Sequence, residues 1–287
     1  MRLVRLLPPS VIGVLLAAKL RSDLARKRKA VDDLVARART APATFDRWAY
    51  RVVSQNGEDG IIAVLLDKIG GGKGKFVEFG FGYRQNNMMF NAMRLGMSGL
   101  FIDGSPRHCK NLGVALKLLG RTDITIRQEW IDKTNIDRII VESVGAGDID
   151  VLSTDIDGID YWVLEAITSV KPKLLIVEFN ASFGPARAVT VPYEREFDRT
   201  TKHPSMLYWG ASLAAFTKLA DARGLALIGC DPEGVNAFYV RRDLLQNGLV
   251  ERSVAEAYRD SSHLTSRFGT DRTEREKTAF SLPVVEV

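Results

Sequence analysis

The sequence predicts an α/β protein, an open and mostly parallel sheet covered by helices on both faces. Two observations carry this: from residue 54 onward short β-rich runs alternate with longer helical ones, and glycine, proline or a capping residue punctuates the steps. A third is size and composition, since 287 residues with 46% apolar and 26% charged side chains suffice for one sizeable core. The runs KFVEFG (75–80), GLFID (99–103), ITIRQEWI (124–131), IDVLSTDID (149–157) and KLLIVEF (173–179) read as five parallel strands. Helical spacing appears in IIAVLLDKI (61–69), NNMMFNAMRLG (86–96), SPRHCKNLGVALKLLG (105–120) and TNIDRIIVESV (134–144). In the third of these Ser105 is placed to cap and Pro106 takes the first helical position. A polar, proline-containing stretch at 181–204 is long enough to serve as a substrate wall. A long helix is expected over SMLYWGASLAAFTKLADAR (205–223), stopped by Gly224. LALIGCD and NAFYVRR then flank the turn PEGV and read as an antiparallel hairpin on the sheet edge. That makes seven strands, five or more of them parallel and the last antiparallel.

The chain divides into a basic N-terminal helical extension (1–50), the α/β domain (51–245) and a C-terminal polar tail or set of short helices (246–287). Residues 1–40 hold ten Lys or Arg against three Asp, so the pI of 9.2 belongs to that segment. The remainder lacks the basic footprint of a nucleic-acid binder. The apolar run Val11–Ala18 is far short of the roughly 20 residues that span a bilayer. Beyond it, Leu24, Val31, Leu34 and Val35 share a helical face opposite Arg26–Lys29. Such a helix suits internal packing, a homo-oligomer contact, or adhesion to an anionic membrane surface. Two cysteines, Cys109 and Cys230, form neither a disulfide framework nor a CxxC pair, and a reduced, cytoplasmic setting is expected.

FVEFGFGYRQNN places Gly80 and Gly82 at the end of a strand, with Asp103 closing the next strand. Glycines at that turn admit a ligand to the backbone, and an acid about 20 residues on can hold ribose hydroxyls. A dinucleotide fingerprint would have a third glycine where Gln85 stands, and Glu78 beside the turn would repel a pyrophosphate. A carboxylate there suits a cation, and S-adenosylmethionine carries an ammonium and a sulfonium without phosphate.

Residues 54 to about 242 resemble the FkbM-type branch of class I S-adenosylmethionine-dependent methyltransferases. The resemblance runs through SQNGEDG (54–60), FVEFGFG (76–82), GLFIDGSP (99–106), STDIDGIDYWVLEAI (153–167) and LLIVEFN (174–180). It implies a Rossmann-like seven-stranded sheet and methylation of a hydroxyl, commonly on a sugar or polyketide-like product. Carried over by position, Glu78, Gly80 and Gly82 would line the methionine end, Asp103 the ribose, and Glu129 with Trp130 the adenine edge. Gln55 would stand at the cofactor carboxylate, unless SQNGEDG is only a helix start capped by Asn56. DIDGID and the 181–204 insert depart from the common pattern of that branch, and both bear on the acceptor.

Ligands of open α/β sheets bind beyond the carboxyl ends of the strands. Asp155 and Asp157 are expected to end the fourth strand, Glu178 and Asn180 the fifth, each pair sharing a face where the backbone stays extended. Asp155, Glu178 and Asn180 offer oxygens for Mg²⁺, which would lower the pKa of an acceptor hydroxyl. The other reading has no ion, with Asp155 on the cofactor ammonium and Asp157 on the acceptor. Candidates for proton removal are Asp155, Asp157 and, from the long loop, His203. Asp160 is placed to cap the following helix, and Tyr193, Tyr208 and Trp209 could offer flat faces to a saccharide or other small-molecule acceptor.

Overall fold

The computed structural model describes residues 8–40, 44–82, 86–261, 264–265 and 271–287. Gln85, where a third glycine would stand, and the first seven residues of the basic extension lie outside them. Five strands follow the predicted runs: β1 (Lys75–Phe79), β2 (Ser98–Asp103), β3 (Ile124–Gln128), β4 (Gly147–Thr154) and β5 (Val170–Glu178). A short β6 (Val189–Thr190) precedes β7 (Leu225–Cys230) and β8 (Asn236–Arg241). The main sheet runs β3-β2-β1-β4-β5-β8-β7, parallel throughout except for β8, which is antiparallel to both neighbours. The hairpin lies at one edge of the sheet as expected, and its second strand, the last of this sheet in chain order, is the antiparallel one. β8 inserts beside β5, with Glu178 opposite Asn236, and β7 becomes the edge. This is the seven-stranded Rossmann-like sheet that the resemblance implies.

Alternation along the strands sends successive side chains to opposite layers. Val77, Phe79, Leu100 and Ile102 join one core with the helices α6 (Ile136–Val144), α7 (Asp160–Ala166) and α9 (Leu213–Asp221). Phe76, Phe101, Val151 and Ile176 join the other. That second layer holds α1 (Pro9–Ala38), α2 (Phe45–Trp48), α3 (Glu58–Lys68), α4 (Met89–Leu95) and α5 (Pro106–Leu118). The basic N-terminal segment thus contributes a long helix to the body of the protein. Its face Leu16, Leu20, Val31 and Val35 is buried, and it crosses α5 so tightly that a Cβ on Gly13 would lie 2.5 Å from the Val114 Cβ.

Three local expectations are corrected. Gly57, left-handed at φ 95°, is the cap residue of α3, while Asp59 folds the preceding segment by accepting from the amides of Val52, Val53 and Ser54. The long helix over 205–223 begins only at Leu213, because Gly210 turns the chain at φ 63° and the Ser212 side chain accepts from the Ala215 amide. The 181–204 stretch is an ordered strap containing β6 and α8 (Arg199–Lys202), and β6 pairs with the C-terminal β9 (Val285–Glu286). The C-terminal segment adds α10 (Val254–Ala257) and a helix Arg272–Ala279, whose buried Arg275 pairs with Asp260 at 2.5 Å.

Candidate active site

The order of strands reverses between β1 and β4, and at that switch point the carboxyl ends of β1, β2, β4 and β5 surround a cavity of about 500 Å³. The chain leaves β1 through Gly80, at φ 76°, where an added Cβ would sit 1.4 Å from the Asp155 carbonyl oxygen. Glycine is therefore demanded by the fold itself. Asp103 ties this turn to the next one. One of its oxygens accepts from the Phe81 amide at 3.1 Å and the other from the Ser105 amide at 2.6 Å, with His108 Nδ1 3.4 Å away.

Glu78 departs from its expected place. Its carboxylate is buried and accepts from the amides of Asn87 and Met88, both at 2.8 Å, at the start of α4. The reason is strand alternation: Glu78 points into the same layer as Phe76, away from the cavity. Burial pushes its pKa up to about 8 against those two donors. The helix N-terminus that could take a phosphate is already filled by a carboxylate.

Among the other expected cofactor residues, Gln55, Gly80, Gly82, Asp103, Glu129 and Trp130 all line the cavity. Trp130 is 61% exposed, which makes it a wall and not core, and its indole N–H donates to the Arg195 carbonyl at 3.2 Å.

On the opposite side β4 ends at Thr154, one residue earlier than the acids, so Asp155 and Asp157 do not share an extended face. Asp157 instead turns the chain at φ 57°, a conformation Asp tolerates. Asp160, fully buried, accepts from the amides of Ile156 at 2.8 Å and Gly158 at 3.0 Å and organises the turn into α7. Carboxylate oxygens of Asp155, Asp157 and Glu178 come within 4.8 Å of one another. Asp155 is raised to about 7 by burial, and Glu178 is driven well above the carboxylate range by burial and by Asp155. Glu178 Oε2 is buried with no hydrogen-bond partner among the described residues.

Asn180 is not part of this group. Its amide donates to the carbonyls of Leu207 and Trp209 and its oxygen accepts from Ser182, which pins the strap to β5. Asp157 stands where Asn180 was expected. His203 does not line the cavity, its Nδ1 being engaged by Ser205 within the strap. Tyr193 and Tyr208 are also outside it, whereas Trp209 lines it while belonging to the core.

The residues that sequence reasoning missed come from the strap. Arg199 pairs with Asp157, donates to the Met206 carbonyl at 3.2 Å and lies 4.8 Å from the Trp209 ring centroid. Arg195, four residues before it, pairs with Asp132 at 2.8 Å. Their spacing on a loop predicted to wall a site rich in acids was the available signal.

No family model and no curated protein matches the chain. Among solved structures, it is similar to the N-terminal domain of EvdMO1 with SAH bound, at 10% identity and a TM-score of 0.40 over 74% of this chain and 94% of that one. An O-methyltransferase family protein from Burkholderia thailandensis scores 0.38 at 13% identity, covering 78% of this chain and 72% of that one. Magnesium protoporphyrin IX methyltransferase from Synechocystis PCC 6803 scores 0.40 at 15% identity, covering 78% and 99%. At these scores the likeness carries no weight for function.

Proposed function

We propose that the chain is an S-adenosylmethionine-dependent O-methyltransferase acting on a hydroxyl of a saccharide or saccharide-containing small molecule. One observation carries the reading: the charge around the cavity. Asp103, Glu129, Asp155 and Asp157 line it, while the two guanidiniums among its described lining residues, Arg195 and Arg199, are each paired with an acid. The α4 amides that could have received a pyrophosphate are held by Glu78. Such a lining opposes a diphosphate and attracts a cation.

The residues fit the donor by chemistry. Asp103 at the end of β2 would accept from ribose hydroxyls, Trp130 and Glu129 would border the adenine, and the Gly80–Gly82 turn would meet the methionine portion. Bound there, S-adenosylmethionine supplies a methyl group on a positively charged sulfur. Asp155, beside Glu178, would take the acceptor proton, while Asp157, held by Arg199, would orient the hydroxyl. Trp209 and Phe197, both largely buried, border the cavity beside the same acids.

A Mg²⁺-assisted form of the reaction is favoured by the convergence of Asp155, Asp157 and Glu178 within 4.8 Å. Calorimetry with S-adenosylmethionine, SAH and NADH tests the donor, and a methyl-transfer screen over glycans and glycolipids tests the acceptor. Uptake of NADH with indifference to both sulfur compounds would sink the reading. Transfer that survives EDTA removes the metal form, and loss restored by Mg²⁺ supports it.

A further inference from the structure

We infer that the outer face of the first turns of α1 is a docking surface for an anionic lipid bilayer. The inner face of this helix is fully accounted for, since Ile12, Leu16, Leu20, Val31 and Val35 are buried within the chain. The opposite side of its first turns is nevertheless apolar. Val11, Val14 and Leu15 are 42%, 51% and 46% exposed, and at helical spacing they form one stripe. On the neighbouring α5, Leu118 is also 43% exposed, and its carbonyl accepts from Arg21 of α1.

Charge identifies the occupant. Along α1 next to the stripe stand Lys19, which pairs with Asp23, and Arg21, and no carboxylate precedes Asp23 on the helix. Exposed Lys110 and Lys117 lie on α5, against which α1 packs. Aliphatic side chains with cations on long stems around them match a headgroup boundary, the stems reaching the phosphates while the apolar tips enter the acyl region. A second copy of the chain fits worse, because a two-fold contact would set this cationic patch against itself. Among the described residues no helix is long and apolar enough to cross a membrane.

The full chain is tested by co-sedimentation with vesicles of phosphatidylcholine alone and with about one third phosphatidylserine. It should pellet with the anionic vesicles only, and added salt should release it. Val14→Glu/Leu15→Glu and, separately, Lys110→Glu/Lys117→Glu should each weaken binding about tenfold or more. Both variants should keep the wild-type circular dichroism and melting transition. Pelleting that ignores lipid charge, no pelleting at all, or wild-type binding by either folded variant overturns the proposal. A dimer by light scattering that Val14→Glu/Leu15→Glu converts to monomer also overturns it, by assigning the face to a second copy.

Discussion

Arg199 and Asp157 form an ion pair across the mouth of the acid group, joining the strap to the turn after β4. The pair is braced on both sides: Arg199 lies over the Trp209 ring, and Asp157 turns the chain at φ 57°. An ion pair so built fixes a carboxylate beside the Asp155–Glu178 couple.

Removing the cation tests that role. Arg199→Met should lower the methyl-transfer rate about 100-fold, because Asp157 would swing to solvent and reacting groups would lose alignment. SAH affinity, read by calorimetry, should move by no more than about threefold. An equal loss in both measurements would place Arg199 in donor binding instead.

Asp103 is the reverse case. Asp103→Ala removes the carboxylate at the end of β2 and should weaken S-adenosylmethionine binding about tenfold to 100-fold, the worth of a charged hydrogen bond. It also frees the Phe81 and Ser105 amides, so a fall in melting temperature should accompany it.

The pH profile follows from Asp155. Its pKa of about 7, raised by burial, means that the group is protonated and unable to accept a proton in more acidic solution. Initial rates should therefore climb as pH rises through about 7, and Asp155→Asn should flatten the profile and lower the rate. The stability consequence has the opposite sense. Between the ordinary carboxylate range and about 7 the folded state binds the extra proton, so this group's contribution to stability falls as pH rises through that window.

Gly80→Ala should be strongly destabilised. The new methyl would meet the Asp155 carbonyl at 1.4 Å in a backbone conformation that L side chains avoid. A cost of about 3 kcal/mol or more is expected, checked by soluble yield and urea unfolding.

Glu78→Gln separates a structural role from a ligand contact. Gln keeps one acceptor for the two α4 amides and sets an NH₂ against the other, so about 1–3 kcal/mol of stability should be lost. Wild-type stability declines as pH rises toward the raised pKa of Glu78, so the gap between the two proteins should narrow over the same range. SAH affinity should stay within about threefold, and a larger loss would return Glu78 to the cavity wall.

Much of the fold was legible because strands and helices carry local signals. The period-2 and helical spacings located β1 to β5, and Ser105 with Pro106 marked the start of α5. Gly80 and Asp103 were legible in the same way, since a glycine turn and a strand-end acid are local features. The acid group was only partly so. Asp155 and Glu178 converge, but Asn180 was grouped with them on the assumption that β5 continued extended, whereas its amide is consumed in holding the strap. Glu78 was misplaced because its nearness in sequence to the glycine turn outweighed the parity of its position along β1.

By itself, the sequence determined the alternation of strands and helices, the glycine turn and the carboxyl-end acids, all set by backbone conformation and side-chain period within a few residues. Tertiary structure alone decided the insertion of β8 beside β5, the capping of α4 by Glu78 and the arrival of Arg199 at Asp157. Those depend on which distant segments pack together, because burial and charge pairing are satisfied by neighbours in space whatever their separation along the chain.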